Sequence, residues 1–412
     1  MGDEVVVHLR TRPDGLDNNE SSAGPAGGAA GLTELPIILT GIGATLAGGT
    51  ASRSPAAVSM SPARAGKEGF FVSFADEVLA KVRNKIEPTN EPLNEARERL
   101  QLVRDAADSF PGRNRTYRSG SLAVHTMNEP VTDGDGGLVL NRSNYPQLGP
   151  DGGGAIPDDV VEDLREHLRP IIRRTYPDAV ISFSKRGPKI HFHQPLSDGQ
   201  DPTVDLVVAL TRKEGPGLWI PNLKTSAWEP SHPERHVELL NGDTPSFRAI
   251  RRKVVRLAKA WNKTTFGTPL AASFVLSVWA WEFLEPGTGV ATGLRTLFTE
   301  AADRLESGDH TPDPAGVSAD LQIDISDAAA VNRLRKAAGA VDAAISADTL
   351  GDAQSALAIV FPKYVDDPVI NQLSVAASVL RPGKAVGAAL LGVSGIGAST
   401  TPGARSYGDG NY

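Results

Sequence analysis

The chain of 412 residues contains no cysteine. That absence excludes disulfides, cysteine-ligated zinc and a thiol nucleophile, and it agrees with a reducing compartment, so the cytoplasm is the expected location. Long apolar runs are also missing. The nearest approach, Leu35 to Leu46, is too short to span a bilayer, is interrupted by Gly41 and Gly43, and has no basic flank; neither a signal peptide nor a membrane helix is expected. Nor is there an excess of positive charge. The formal net charge of −7 disfavours a broad grip on duplex nucleic acid, which needs many clustered lysines and arginines. What is present is enough for a globular enzyme: 40% hydrophobic residues and a length that accommodates two domains of ordinary size.

The character of the chain changes near residue 68. Residues 1–68 are rich in Gly, Ala, Ser and Pro without a sustained period, and a segment of that composition cannot bury enough apolar surface to offset ordering, so a disordered leader is expected. Met60, just before regular structure sets in, is a candidate start. Residues 391–412 read as a flexible tail. Between them, helical spacing marks Val72 to Ile86 and Leu93 to Ala107, where Leu93, Ala96, Leu100 and Val103 share a face. An extended stretch around Tyr117 turns at Ser119-Gly120-Ser121, Leu138 to Leu140 suits a strand, and glycines and prolines make 143–156 a loop. Pro157 opens a helix running to Arg174, with Asp158 and Asp159 near its positive end. Three strand-like runs follow: Ala179 to Ser184, Lys189 to His193 and Thr203 to Leu210. Beyond residue 245 the pattern turns helical, with Phe247 to Lys263, Pro269 to Leu284, Gly293 to Glu306, Ala328 to Ser346 and a short helix after Thr349. The fold class is therefore α+β: a catalytic half with its N-terminal helices over 69–245, then a helical domain over 246–390.

The chemistry lies in three aspartates. Residues two apart on a strand point to the same side, so Asp133 and Asp135 can present both carboxylates to one cleft. Asp205 opens the hydrophobic run Leu206 to Leu210, and an aspartate in a strand that reads as buried needs a partner. Three carboxylates brought together repel unless a divalent cation lies between them, and an all-oxygen set suits Mg²⁺ or Mn²⁺. Two such ions, about 3.5 to 4 Å apart, would stabilise an attacking hydroxyl and a leaving pyrophosphate together. The only Gly-Ser pair in the chain, Gly120-Ser121, precedes Asp133 by twelve residues. Glycine lets the backbone approach a phosphate, and the serine hydroxyl and nearby N–H groups can bond its oxygens. Asp205 can also take the proton of the attacking hydroxyl. Each piece has a plainer reading, since a lone Asp-x-Asp is most often a turn or surface feature; the weight rests on their order and spacing.

Gly120-Ser121-Leu122-Ala123-Val124-His125-Thr126, then Asp133-Gly134-Asp135, then Asp205, resemble the signature of polymerase-β-type nucleotidyltransferases. More narrowly, they resemble the bacterial cGAS/DncV-like nucleotidyltransferases (CD-NTases), over about residues 70–385. Trp219-Ile220-Pro221 through Trp228, His232-Pro233 and the helix Val255 to Asn262 extend the likeness. The resemblance implies a polymerase-β-like core with a mixed sheet and a C-terminal helical domain. It also implies nucleoside triphosphate substrates, two Mg²⁺ or Mn²⁺ ions, a cyclic or linear oligonucleotide signal in anti-phage defence, and a separate effector protein that binds the product. By position it assigns Lys259 and Ser273 to the donor triphosphate. Two departures stand out: relatives commonly carry Gly-Thr where this chain has His125-Thr126, and an aliphatic residue where Gly136-Gly137 follows the second aspartate. Some members are conjugated through their C-terminus; the ending Asn411-Tyr412 lacks the small residue expected for that.

Other features carry less. His191 and His193 share a strand face, but nothing at suitable spacing completes a zinc site, and polar lining of the cleft or a solvent face is expected. Gly152-Gly153-Gly154 lacks the strand, helix and lysine of a phosphate loop. Phe274, Trp279, Trp281 and Phe283 read as core. Arg248, Arg251, Arg252 and Lys253 form either a solvated face or an aid to phosphate binding. Two alternatives to oligonucleotide synthesis stay open: nucleotide addition to tRNA or a small molecule, against which the acidic balance counts, and a non-catalytic scaffold, against which the intact aspartates count.

Overall fold

The computed structural model describes residues 73–264 and 267–366. The expected leader, Leu35 to Leu46, Met60, the last residues of the helical half and the tail at 391–412 lie outside the described residues. Helix α1 (Phe74–Ile86) starts where Ser73 caps it: the hydroxyl accepts from the Asp76 N–H at 3.1 Å and donates to the Asp76 carboxylate at 2.8 Å. Its buried face, Ala75, Val78, Leu79, Val82 and Ile86, packs into the core of the helical half. α2 (Asn90–Asp108) instead lays Ala96, Leu100, Val103 and Ala107 on the sheet.

The sheet has seven strands: β1 (Arg113–Ser119), β2 (Asp133–Leu140), β3 (Val180–Phe183), β4 (Pro188–His191), β5 (Thr203–Thr211), β6 (Leu218–Asn222) and β7 (Ala227–Ser231). Its order is β1-β2-β5-β4-β3; β6 pairs with the last residues of β5, and β7 with β6. Among the strands of the described residues only β2 and β5 pair parallel, so the sheet is mixed. One face, with Leu138, Leu140, Ile190, Leu206 and Val208, is covered by α2 and by Val161, Leu164 and Leu168 of α4 (Asp158–Ile172). The other carries Tyr117, Val139, Val207, Ala209, Leu218 and Ile220 as a smaller apolar cluster, and the three aspartates. The strands are four to nine residues long, and β2 and β5 at the centre of the sheet are buried on both faces.

The β6–β7 hairpin and α5 (Pro233–Asn241) are not anticipated by the sequence pattern. Pro221 and Pro230 interrupt the strand runs, and a proline reads against a strand even where, as here, the hairpin lies off the central ladder. In α5 the buried residues Pro233, His236 and Leu240 fall at i, i+3 and i+7, but only Leu240 among them is aliphatic, so the apolar period is faint. The four-residue helix α3 (Gly120–Ala123) links β1 to the aspartates.

The helical half comprises α6 (Pro245–Thr264), α7 (Ser273–Phe283), α8 (Val290–Glu306), α9 (Asp327–Ile345) and α10 (Leu350–Val360). Its core is built around Trp261, Trp279 and Phe298, while Phe274 and Phe283 pack at its margin. α7 begins at Ser273 rather than Pro269 because Asn262 holds the preceding backbone: its amide donates to the Ala271 carbonyl at 2.7 Å and its oxygen accepts from the Leu270 N–H at 2.6 Å. Among the described residues, no helix is long and apolar enough to cross a membrane.

Candidate active site

Strand register brings the aspartates together. In the parallel β2–β5 ladder Asp135 is the partner of Asp205 and Asp133 that of Thr203, so all three side chains rise from one face of adjacent strands. Their carboxylate oxygens lie within 4.8 Å of one another, and the residues are only 7%, 4% and 3% exposed. Burial, and then the Asp205 charge, push the Asp133 carboxyl above the usual carboxylate range; the Thr132 hydroxyl, 3.1 Å from its Oδ1, opposes this. Asp205 Oδ2 accepts a hydrogen bond from Lys189 Nζ at 2.8 Å, whereas its Oδ1 is buried without a hydrogen-bond partner. Three converging carboxylates, one with an unsatisfied buried oxygen, are a donor set that fits a hard divalent cation; the trio can hold a metal ion.

The Gly-Ser turn is built against this cluster. β1 pairs antiparallel with β2 so that Ser119 faces Asp135, and the chain leaves β1 at Gly120 with φ of 65°. A Cβ at Gly120 would lie 1.8 Å from Asp135 Oδ2, so the position requires glycine for both conformation and space. The segment then curls: the Val124 N–H donates to the Gly120 carbonyl at 3.3 Å and the Thr126 N–H to the Ser121 carbonyl at 2.9 Å. Ser121 is half-buried, its hydroxyl 3.3 Å from the Met127 sulfur. His125 adopts φ of 59°, the left-handed conformation that glycine favours, so histidine here occupies a backbone suited to the Gly-Thr of relatives. The second departure also has a cause. A Cβ at Gly136, the residue after the second aspartate, would lie 2.9 Å from the Tyr117 carbonyl oxygen, and Tyr117, the β1 partner of Gly137, lays its ring where a Cβ at 137 would come within 2.1 Å.

One face of α6 secures the far side of the turn. Arg252 donates to the Val124 carbonyl at 3.1 Å, the Arg256 carbonyl accepts from the Asn128 amide at 2.9 Å, and Lys259 Nζ donates to the Thr126 carbonyl and hydroxyl at 3.2 and 3.1 Å. These positions fall at i, i+4 and i+7, the spacing of one helical face. Lys259 is buried; burial and the like charge of Lys263 lower its pKa to about 7, against the pull of Asp133 and Asp135. Ser273 is half-buried in the first turn of α7, its carbonyl accepts from the Ser277 hydroxyl at 3.0 Å, and among the described residues no side-chain hydrogen bond links it to the aspartates or the turn.

The basic cluster of α6 is largely consumed by structure. Arg248 donates to the Asn241 carbonyl at 2.6 Å, Arg251 to the Leu240 carbonyl at 2.7 Å and to Asp243, and Arg252 to the Asn241 side chain at 2.8 Å. They satisfy the carbonyls that end α5. Asn241 in turn donates to the Ala123 carbonyl at 3.2 Å. Asn241 and Lys189 are thus neighbours of the site that no sequence pattern singles out, and Thr126, part of the quoted signature, proves to be the partner of Lys259. Lys189 had one signal, its alternation with His191 on a strand, but which strand lies beside Asp205 is decided by topology.

The sequence matches no family model and no curated protein. Solved structures do match. The Bradyrhizobium diazoefficiens CD-NTase CdnG in complex with GTP is 17% identical, with a TM-score of 0.53, over 74% of this chain and 99% of that one. E. coli MS115-1 CdnC with ATP is 16% identical, with a TM-score of 0.51, over 70% and 98%. A mutant of the Vibrio cholerae di-nucleotide cyclase DncV is 12% identical, with a TM-score of 0.50, over 69% and 94%. Nearly the whole length of each of these proteins is spanned. At such identities the likeness is one of fold, and the fold of this chain is that of the CD-NTases.

Proposed function

We propose that this protein is a metal-dependent nucleotidyltransferase that joins nucleoside triphosphates, without a template, into a cyclic or linear oligonucleotide signal and releases pyrophosphate. The observation that carries this reading is the convergence of Asp133, Asp135 and Asp205 within 4.8 Å, with Gly120 pressed against Asp135. A structural carboxylate cluster would require no glycine turn beside it; a phosphate grip does. The bound triphosphates of CdnG (GTP) and CdnC (ATP) support the substrate class.

In this reading Asp133, Asp135 and Asp205 hold two Mg²⁺ or Mn²⁺ ions, which when bound neutralise charge on the phosphates and on the reacting oxygens. Gly120 and Ser121 hold the donor phosphates, and Lys259 exchanges its bonds to Thr126 for phosphate oxygens. Ser273, at the start of α7, adds a hydroxyl to the same triphosphate. Asp205 accepts the proton of the acceptor hydroxyl. The hydroxyl oxygen bonds to the donor α-phosphorus, the bond from that phosphorus to the β-phosphate oxygen breaks, and pyrophosphate leaves. The product acts on a separate effector protein in the cytoplasm, as a signal in anti-phage defence.

Purified protein incubated with all four nucleoside triphosphates and Mg²⁺ or Mn²⁺, without acceptor, tests this. Mass spectrometry should find a phosphatase-resistant oligonucleotide and pyrophosphate, and the Asp133→Ala/Asp135→Ala variant should yield neither while remaining folded. Product made only when tRNA or another acceptor is added would favour nucleotide addition instead. Unchanged product in the double variant would refute the metal assignment.

A further inference from the structure

His191 and His193 have no part in the donor grip, yet they border it. β4 is the next strand after β5, and Lys189 is the register partner of Asp205. Antiparallel partners project to the same side, so Lys189 and His191, two residues on, extend the face that carries the aspartates. Burial alternates to match: Ile190 and Phe192 are in the core, Lys189 and His191 are half-buried, and His193 is exposed. Lys189 Nζ holds Asp205 Oδ2 at 2.8 Å. His191 Nε2 lies 3.1 Å from the Ser182 hydroxyl of β3, which fixes that ring. His193, just past the strand at φ of 54°, stacks its imidazole on that of His191, centroids 6.2 Å apart with 27° between planes. A non-glycine residue seldom adopts that conformation, and such backbone strain collects at binding sites.

Order across the sheet assigns the two sides. Gly120 and Ser121 sit at the β1–β2 end of the trio, where Thr126 and Lys259 close over them; Asp205 is the last carboxylate before β4. A donor triphosphate held by the turn fills the β1–β2 side, so a second nucleotide whose hydroxyl must meet Asp205 approaches over β4. Resting on the nucleotidyl-transfer reading above, we infer that His191 and His193, beside Lys189, form the subsite of the acceptor nucleotide. Lys189 is a positioning residue: it orients the Asp205 carboxylate that takes the hydroxyl proton as the oxygen bonds to phosphorus and pyrophosphate departs. The stacked imidazoles offer the acceptor base a flat surface, an interaction that every base can make.

Donor and acceptor can be separated with analogues. A dideoxynucleoside triphosphate lacks both ribose hydroxyls and serves only as donor; an α,β-methylene nucleoside triphosphate cannot release pyrophosphate and serves only as acceptor. Their condensation is followed with Mn²⁺ in the unaltered protein and in His191→Ala/His193→Ala. The apparent KM for the methylene analogue should rise about tenfold while that for the dideoxy analogue stays within about twofold. Lys189→Met should lower kcat at least about tenfold with little change in either KM, and Lys189→Arg should recover most of the loss. If the double variant unfolds, His193→Ala, at an exposed position, makes the same comparison. An unchanged KM for the methylene analogue, or equal rises for both analogues, overturns the subsite alone. No condensation in the unaltered protein with any base pairing of the analogues overturns the nucleotidyl-transfer reading, and the subsite with it.

Discussion

A β-carbon at residue 120 would lie 1.8 Å from Oδ2 of Asp135, so the turn that leaves β1 and the carboxylate that rises from β2 occupy one another's space to within a single methyl group. Gly120→Ala must displace the carboxylate or the turn, and it also strains a φ of 65°. Transfer activity should fall at least about a hundredfold, with a loss of roughly 1 to 3 kcal/mol in stability. Initial rates of pyrophosphate release, read beside thermal unfolding, check this. Activity within a few-fold of the parent would mean that the carboxylate can work away from the turn.

Metal-free protein should be held back by its own site. Burial and the Asp205 charge raise the Asp133 carboxyl. Between the usual carboxylate range and the raised value, the folded chain holds more protons than the unfolded chain, so stability falls as pH rises through that window. Asp133→Asn removes the effect. Without metal, near pH 7.5, it should melt above the parent; with added Mn²⁺ it should gain less than the parent does. A variant that melts lower without metal would count against repulsion in the cluster.

Lys259 carries a linkage of the opposite slope. Its pKa falls from the ordinary lysine value to about 7 on folding, so between those values the unfolded chain binds more protons and stability rises with pH. Lys259→Met should flatten that rise across pH 7 to 9, seen in thermal unfolding at stepped pH. A triphosphate beside the ammonium favours its charged form, so nucleotide binding near pH 8 should take up protons, up to about one per site. Calorimetry in buffers of different ionisation enthalpy measures that uptake, and Lys259→Met should abolish it.

Arg99 anchors the approach to Asp205. Its buried guanidinium donates to Glu95 at 2.7 Å, Asp201 at 2.5 Å and the Pro202 and Gln194 carbonyls at 2.7 Å each, with its carbon 4.6 Å from the Phe192 ring centre. Arg99→Met strands those acceptors and should lower stability by about 3 to 5 kcal/mol in urea titration. A loss under about 1 kcal/mol would show that the segment before β5 is held by other contacts.

The helices were largely legible because their apolar residues recur at 3.6-residue spacing: Val78, Leu79 and Val82 in α1, Leu294, Leu297 and Phe298 in α8. β5 was legible as an apolar run. The β6–β7 hairpin was not, since Pro221 and Pro230 mask its strands, nor was the start of α7, which Asn262 sets through bonds across a loop. At the candidate site, Asp133, Asp135, Asp205 and Gly120-Ser121 could be picked out because each breaks its local pattern: acids among apolar strand residues, a glycine at a strand end. Lys189 and Asn241 could not, because a lysine or an asparagine is ordinary wherever it stands in a sequence. The basic run Arg248 to Lys253 misled in the other direction, its charge being spent largely on the ending of α5.

By itself, the sequence determined most of the helices, the apolar strand β5, which carboxylates stand out against their surroundings and the absence of thiol chemistry, because these depend on residue identity and short-range period. Only the tertiary structure decided that β5 lies parallel to β2 in a register that pairs Asp135 with Asp205, that α6 closes on the turn with Lys259 inside, and that Lys189 reaches Asp205. Those outcomes depend on which strands become neighbours. Strand pairing is selected by the packing of whole faces across many residues, and no local stretch of the chain encodes it.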